Sequence, residues 1–178
     1  KPGYVRGTAT ERKEFLQHLK SLHRQGMEAV ATNLETEHPI TMTRALSIAQ
    51  GTLSHWHQRL EIGVVQKTLK LYERGMKAGA KDVGLDLDLD DNDYRELARL
   101  ARREDGILPA ISRFAKTERQ FLDRTISAAY AEGPPNGKLL SYITGQIRKR
   151  GEEAEARLEL MVNTETAKMT NFGKLAAW

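Results

Sequence analysis

Apolar residues recur every three to four positions over most of the chain, which is the spacing of one face of an α-helix. The first such stripe consists of Phe15, Leu19, Leu22, Gly26 and Val30. It predicts a helix from about Thr10 to Glu37, with Thr10 as the N-cap. Pro39 should end this helix, because a proline disfavours the helical conformation of the residue before it.

A longer stripe follows the proline and predicts a second helix, which starts near Thr41 or Thr43 and reaches about Lys81. The glycines that could bend or break it are Gly51, Gly63, Gly75 and Gly79. Two long helices joined by a tight turn are typical of an antiparallel hairpin. We therefore expect an elongated molecule that begins with a long helical hairpin.

The composition changes at residues 83–93, which read VGLDLDLDDND and carry no helical stripe. We interpret this acidic run as a linker. A short helix from Tyr94 to Arg103 should follow it, capped by Asp91 or Asp93. The linker therefore predicts a boundary between the hairpin and the rest of the chain.

Three more helices are predicted beyond this point. Pro109 suits the first turn of a helix that covers about 110–132, and residues 133–137 form a loop. A helix over 138–150 should be closed by Gly151, and a last helix should start near Glu152. The pattern thus predicts an all-α fold in which residues 1–82 form the hairpin, residues 83–93 the acidic linker and residues 94–178 a smaller C-terminal helical bundle.

Composition narrows the class of protein. The 178 residues are enough to bury a core, and their apolar runs are far too short to span a membrane. Cysteine is absent, which excludes disulfides, thiolate metal sites and a cysteine nucleophile. The net charge of +4 is compatible with a nucleic-acid-rich setting without indicating one, because the 28 basic residues are interleaved with 24 acidic ones. Because the chain starts with Lys1 rather than methionine, we expect a longer or processed chain.

The acidic run holds a weak calcium pattern. Asp86, Asp88 and Asp90 match the first three ligand positions of an EF-hand loop. The position that requires glycine holds Asp91, and the position that requires a bidentate glutamate holds Leu97. We favour a solvated linker with helix-capping aspartates, and a weak cation site of another kind is the alternative.

The histidines form no metal motif. His55 and His57 point to nearly opposite sides of a helix, and His18 and His23 are five residues apart. We expect solvated histidines, or histidines at the edge of an apolar stripe. Neither a glycine-rich phosphate loop nor a nucleophile elbow occurs in the sequence. The sequence therefore predicts a protein that is not an enzyme, with no catalytic residue, no cofactor and no metal.

Two groups of cations stand out, at Arg102 and Arg103 and at Arg148, Lys149 and Arg150. Cations in the last turn of a helix offset its macrodipole, and this ordinary role explains both groups. Phosphate contact by these five side chains is the alternative. Aromatic residues that could stack on bases are missing nearby.

A polar stretch interrupts the last apolar stripe. On a helical wheel Glu165 lies within a seam of Leu158, Val162, Met169, Phe172 and Ala176. A buried glutamate is costly unless it is paired. Either the helix breaks near Asn163 and a new one starts there, or one continuous helix buries Glu165 against an arginine or backbone N–H groups. Glu118 lies within the stripe of its own helix, where the same arrangement would apply.

Three stretches near the end of the chain read ISRFAKTERQFLDRTISAAYAEG, KLLSYITGQIRKRG and ARLELMVNTETAKMTNFGKLAAW. Their core is Thr164, Glu165 and Thr166, followed by Asn171. In this pattern the segment from about 111 to 178 resembles the bacteriophage minor head protein family, the Mu F-like or head-morphogenesis group. Asn163 stands where that family commonly has arginine.

The resemblance implies a structural and assembly component of a tailed-phage virion, made in the host cytoplasm and incorporated into the head interior or the portal vertex. It implies the portal protein and the major capsid protein as partners, several copies per virion, and a role in head morphogenesis, DNA packaging or DNA ejection. It implies no enzyme and no cofactor. The alternative is a helical module inside the head that binds packaged DNA non-specifically.

Overall fold

The computed structural model describes residues 7–86, 88–103, 106–133 and 138–164. Its helices are α1 (Gly7–Glu37), α2 (Met42–Asp82), α3 (Asp91–Ala101), α4 (Ile107–Glu132) and α5 (Leu139–Glu153). A further helical run covers residues 155–164. The described ranges contain no strand, so the all-α prediction is confirmed. No helix in these ranges is both long enough and apolar enough to cross a membrane.

The two long N-terminal helices are separated where the proline predicts. His38 has a φ of 45°, and its N–H donates to the carbonyl oxygen of Leu34 at 3.1 Å. The hydroxyl oxygen of Thr41 accepts a hydrogen bond from the N–H of Arg44 at 3.2 Å, so Thr41 caps α2. From there α2 runs without interruption to Asp82, and the break considered at its glycines does not occur.

The cap of α3 differs from the prediction. The Oδ1 of Asp90 accepts from the N–H of Asp93 at 2.9 Å, and the Oδ2 of Asp93 accepts from the N–H of Asp90 at 3.0 Å. This reciprocal pair is a capping box in which Asp90 holds the N-cap position. The helix therefore starts at Asp91, earlier than the predicted Tyr94.

Two other helix ends also need correction. Helix α1 already includes Gly7, so Thr10 is not its N-cap. Gly151 does not close α5, which continues to Glu153. A Cβ on Gly151 would lie 3.2 Å from the Cβ of Met27, so this glycine lets α5 approach α1 closely. Its role is packing between helices rather than helix termination.

Contacts group the chain into two compact units. The described residues of one unit lie within 7–19, 61–111 and 158–164, and those of the other lie within 20–60 and 112–157. Each unit draws on both halves of the chain. These contact-based units do not follow the predicted boundaries at residues 82 and 93. The predicted division into hairpin, linker and C-terminal bundle stays a prediction.

The unit formed by 20–60 and 112–157, which we call the Glu118 unit, has a core built from the predicted stripes. The largest apolar members are Met27, Val30, Leu34, Ile48, Leu53, Leu122, Ile126, Ile143 and Ile147. Gly26 lets α1 and α2 approach closely, because a Cβ there would lie 2.9 Å from the Cβ of Trp56. The hydroxyl of Tyr130 donates to the carbonyl oxygen of Pro39 at 2.6 Å and fastens α4 to the turn between α1 and α2.

The other unit buries its own apolar side chains. They include Phe15, Leu19, Val64, Met76, Ile107, Ile111, Leu158 and Val162. Leu158 and Val162 are the first two positions of the seam predicted around Glu165, and both are fully buried. The stripe of the helical run 155–164 is therefore a core-facing stripe as far as it is described.

Candidate functional site

The most unusual feature of the Glu118 unit is a buried carboxylate. Glu118 lies on α4 between Ala115 and Leu122, in line with the apolar stripe, and its side chain is fully buried. Arg150 of α5 donates from Nε to Oε2 and from Nη2 to Oε1, both at 3.1 Å. Arg157 also donates to Oε1. The prediction that Glu118 is buried and paired is confirmed.

The two arginines also cover aromatic rings. The guanidinium carbon of Arg150 lies 5.0 Å from the ring centre of Phe121, and that of Arg157 lies 5.6 Å from the ring centre of Phe114. Cation–π contacts at such distances add to the attraction of the carboxylate. The arginine side chains are 22% and 41% exposed, so they bridge the buried acid and the solvent.

One histidine lies beside the carboxylate and stacks on a second histidine. The Nε2 of His23 lies 3.8 Å from Oε2 of Glu118, and the ring meets Phe114 edge-on with centres 4.9 Å apart. His57 of α2 stacks on His23 at 6.4 Å with an angle of 10° between the rings. No ring nitrogen of either histidine has a hydrogen-bond partner in the part of the chain that the structure describes.

Burial keeps both histidines neutral. It lowers the pKa of His23 to about 3, helped by His57 and by the positive charges of Arg157 and Arg150. Burial, and then the charge of Arg119, lowers the pKa of His57 to about 4. At neutral pH the two uncharged rings therefore pack like apolar side chains, and their ring nitrogens make no hydrogen bond within the described residues. We call Glu118, Arg150, Arg157, His23 and His57 together the Glu118 cluster.

This arrangement suits fold specification. Both oxygens of Glu118 already accept hydrogen bonds from guanidinium groups. Removing one partner of such a buried pair is costly, because the other charge is left uncompensated. Within the described ranges, no group of three or more His, Asp or Glu side chains is arranged so that it could hold a metal ion. This includes the histidine pair with Glu118. Charged hydrogen bonds of the cluster therefore join α4, α5 and the start of the last helical run, and α1 and α2 contribute the neutral histidines.

The basic residues of α5 that the sequence singles out each lie beside a carboxylate. Arg148 donates to both Glu28 and Glu35 of α1, with the closest contacts at 2.9 and 2.6 Å. These hydrogen bonds hold the pKa of each glutamate below its usual range and raise the pKa of Arg148. Lys149 lies 3.8 Å from Glu153. Phosphate binding at Arg148 or Arg150 would compete with these intramolecular partners.

The remaining predicted positions are only partly described. Arg102 and Arg103 are exposed just after the end of α3. The hydroxyl of Thr164 donates to the carbonyl oxygen of Leu160 at 2.9 Å, and Thr164 is exposed. The other motif positions, Glu165, Thr166 and Asn171, lie outside the described residues. The choice between a broken and a continuous helix after Thr164 stays a prediction.

The histidine pair is a correction to the sequence interpretation. His23 and His57 are 2% and 5% exposed, whereas solvated or stripe-edge histidines were expected. A signal was available in the spacing. His23 follows Leu19 by four positions, and His57 follows Leu53 by four, so both continue an apolar stripe. Their pairing across two helices required the tertiary structure.

Comparison of this chain with protein-family models, with curated protein sequences and with solved structures finds no match in any of the three.

Proposed function

We propose that this chain is a minor head protein, a non-enzymatic structural and assembly component of a tailed-phage head. It would act at or near the portal vertex in head morphogenesis, DNA packaging or DNA delivery. Its partners would be the portal protein, the major capsid protein or both, with several copies per virion. The observation that carries the proposal is the resemblance of residues 111–178, with Thr164, Glu165, Thr166 and Asn171 at its core.

The Glu118 cluster supports a structural role for that segment. Its members Glu118, Arg150 and Arg157 come from the three stretches that carry the resemblance, one from each. They are joined to one another by direct hydrogen bonds. Because these hydrogen bonds connect all three stretches, the segment is suited to hold a shape that partners recognise.

Exposed apolar side chains give such partners something to bind. Ile40, at the turn between α1 and α2, is 93% exposed, and Met42 beside it is 40% exposed. Ile62 on α2 and Leu160 on the last helical run are 61% and 71% exposed. Helical proteins commonly dock through apolar residues of this kind.

Co-expression tests the proposal directly. The chain is produced together with the portal protein and the major capsid protein of the same phage genome, and portal rings and capsids are purified by size. We expect the chain to co-purify with one of them at a fixed ratio. Free chain in every preparation, with neither rings nor capsids retaining it, would refute the proposal.

A variant makes the result specific. Ile40→Asp places a charge on the exposed turn without touching the core, because the side chain of Ile40 is almost entirely solvated. Thermal melting should match the wild type, and any loss of co-purification would then place the contact at this turn. Gln58→Glu, at an exposed position of α2 in the same unit, adds the same charge and serves as the control.

A further inference from the structure

A row of cations on α4 faces an open cavity of about 630 Å³ in the Glu118 unit. Its walls include Gln50 of α2 and Arg113, Lys116, Arg119, Gln120 and Asp123 of α4. On a helix with 3.6 residues per turn, the α4 members occupy about a third of the circumference. The row therefore faces one direction. It is exposed and charged, whereas the stripe that holds Glu118 is buried and mostly apolar.

The cations of this row are not neutralised. Arg113, Lys116 and Arg119 are exposed, and none forms an ion pair within the described residues. The one acid of the lining, Asp123, accepts a hydrogen bond from Gln50 at 2.5 Å. Gln50 also donates to the carbonyl oxygen of Arg119 at 3.3 Å, which fixes its amide at the end of the row. Three unpaired cations thus face one acid.

This pattern separates the row from the cations that the sequence singles out. Arg148 and Arg150 each hold a carboxylate, and Lys149 lies beside one. Arg113, Lys116 and Arg119 are spaced three residues apart and form no run in the sequence. Their common face appears only when α4 is formed and its other side is buried.

The chemistry of the lining matches a phosphate backbone. Arginine presents a planar fork that binds phosphate oxygens, and glutamine side chains commonly contact them as well. The row is about 9 Å long at 1.5 Å per residue, and each strand of a duplex carries one phosphate per about 3.4 Å of the duplex axis. No aromatic side chain that could stack on bases belongs to the described lining. Backbone contact without base readout is what such a surface provides.

We propose that the α4 face formed by Arg113, Lys116 and Arg119 binds the phosphate backbone of a nucleic-acid duplex without sequence preference. This face would bind a duplex whether or not the chain is a head protein. Charge complementarity selects the occupant, because a duplex carries one negative charge per about 1.7 Å of its axis. An acidic protein surface is the competing occupant that the experiment must exclude.

The test measures fluorescence anisotropy of a labelled DNA duplex of about 20 base pairs at increasing salt. Three phosphate contacts predict a slope of log affinity against log salt of about −2.7, or roughly a 40-fold loss of affinity between 50 and 200 mM salt. A scrambled duplex of the same length should bind equally well. No binding at 50 mM salt would overturn the proposal, since electrostatic binding is strongest there.

Two matched variants locate the surface. The triple variant R113Q/K116Q/R119Q should lose most of the affinity and nearly all of the salt dependence. The control K13Q/K70Q/R95Q removes the same charge from exposed positions outside the Glu118 unit and should bind like the wild type. Equal weakening by both variants would mean diffuse attraction and would overturn the assignment.

A polyglutamate arm decides between the two occupants. Polyglutamate of matched charge should displace the duplex weakly, because carboxylates of a flexible chain are not spaced like duplex phosphates. Tight binding of polyglutamate together with no binding of duplex would assign the face to an acidic protein instead. Thermal melting of both triple variants accompanies each titration, and the salt slope of the wild type stands as a test that needs no variant.

Discussion

At the scale of single residues, Glu118 is a position at which a single substitution would leave buried charge without a partner. A fully buried carboxylate with two guanidinium partners is a strong interaction that becomes a liability once one partner is removed. The apolar stripe of α4 could have held leucine there. Glutamate instead makes the packing of α4 depend on α5 and on Arg157, because the carboxylate is paired only where both guanidinium groups reach it.

We expect Glu118→Gln to lower the free energy of unfolding by about 3 kcal/mol, the lower end of the range for a broken buried pair. The lower end applies because both arginines reach solvent and recover part of their hydration. Urea denaturation followed by circular dichroism measures the change. Glu153→Gln removes an exposed partner of Lys149 and should change stability by less than about 1 kcal/mol. Equal effects of the two substitutions would contradict the assigned role of Glu118.

The buried histidines predict acid sensitivity. Their pKa values in the folded protein, about 3 and about 4, lie below the ordinary value of 6.5, so the unfolded chain binds more protons below pH 6.5. Stability is therefore complete above pH 6.5 and falls as the pH drops towards the folded values. At pH 5 the loss is about 2 kcal/mol for each histidine, from 1.5 pH units at about 1.36 kcal/mol each. The carboxylates with lowered pKa, Glu28 and Glu35, add their loss only at lower pH.

Denaturation midpoints at pH 7 and pH 5 measure this fall. His57→Leu should remove about half of it, since one of the two neutral histidines is gone. Comparing the two pH values within each protein cancels the direct effect of the substitution on packing. The same fall in wild type and variant would show that His57 is not a source of the acid sensitivity.

At the scale of helices, two glycines in the α1–α2 pair have opposite environments. A Cβ on Gly26 would lie 2.9 Å from the Cβ of Trp56, an atom that cannot move without its backbone. A Cβ on Gly51 of α2 would meet nothing within 4 Å. One glycine is needed for close approach of two helices, and the other only lowers helix propensity.

Gly26→Ala should therefore destabilise the protein by about 1–3 kcal/mol through overpacking. Gly51→Ala should stabilise it by up to about 1 kcal/mol, because alanine is the better helix former. Thermal melting of the two single variants gives both signs in one experiment. A stabilising Gly26→Ala would contradict the close approach of α1 and α2 at this position.

At the scale of the whole molecule, the two compact units share their helices. Helices α1, α2 and α4 and the helical run 155–164 each pass from one unit into the other, after residues 19, 60, 111 and 157. The backbone hydrogen bonds of α2 continue across its crossing point without a break. Unfolding one unit therefore leaves frayed helix ends in the other.

We expect a single cooperative unfolding transition despite the two units. Leu53→Ala lies in one core and Val64→Ala in the other, both at fully buried positions. Each should lower the free energy of unfolding of the whole chain, so that both units become less stable by the same amount. Hydrogen exchange read separately for α4 and for the second half of α2 is the measurement. Two transitions, each moved by only one substitution, would mean that the units unfold independently.

The sequence by itself determined the order of the helices and the position of the buried acid. Helical periodicity is a local property, so nearby residues predict that α1 ends before Pro39 and that α2 ends near Lys81. Glu118 is recognisable because it falls within an apolar stripe. Residue type alone does not select the cap of α3, since Asp90, Asp91 and Asp93 all have the chemistry of a cap. Only backbone geometry selects Asp90.

The tertiary structure decided which residues meet. Arg150 and Arg157 are 32 and 39 positions from Glu118, and His23 and His57 lie on different helices, so no local spacing reports their contact. The same holds for the open row on α4, because no local spacing reports that its arginines and lysine lack the carboxylate partners that those of α5 have. Local periodicity determines what each helix can bury. The faces that pack together determine which charges are buried and paired, as in the Glu118 cluster, and which remain exposed to a partner.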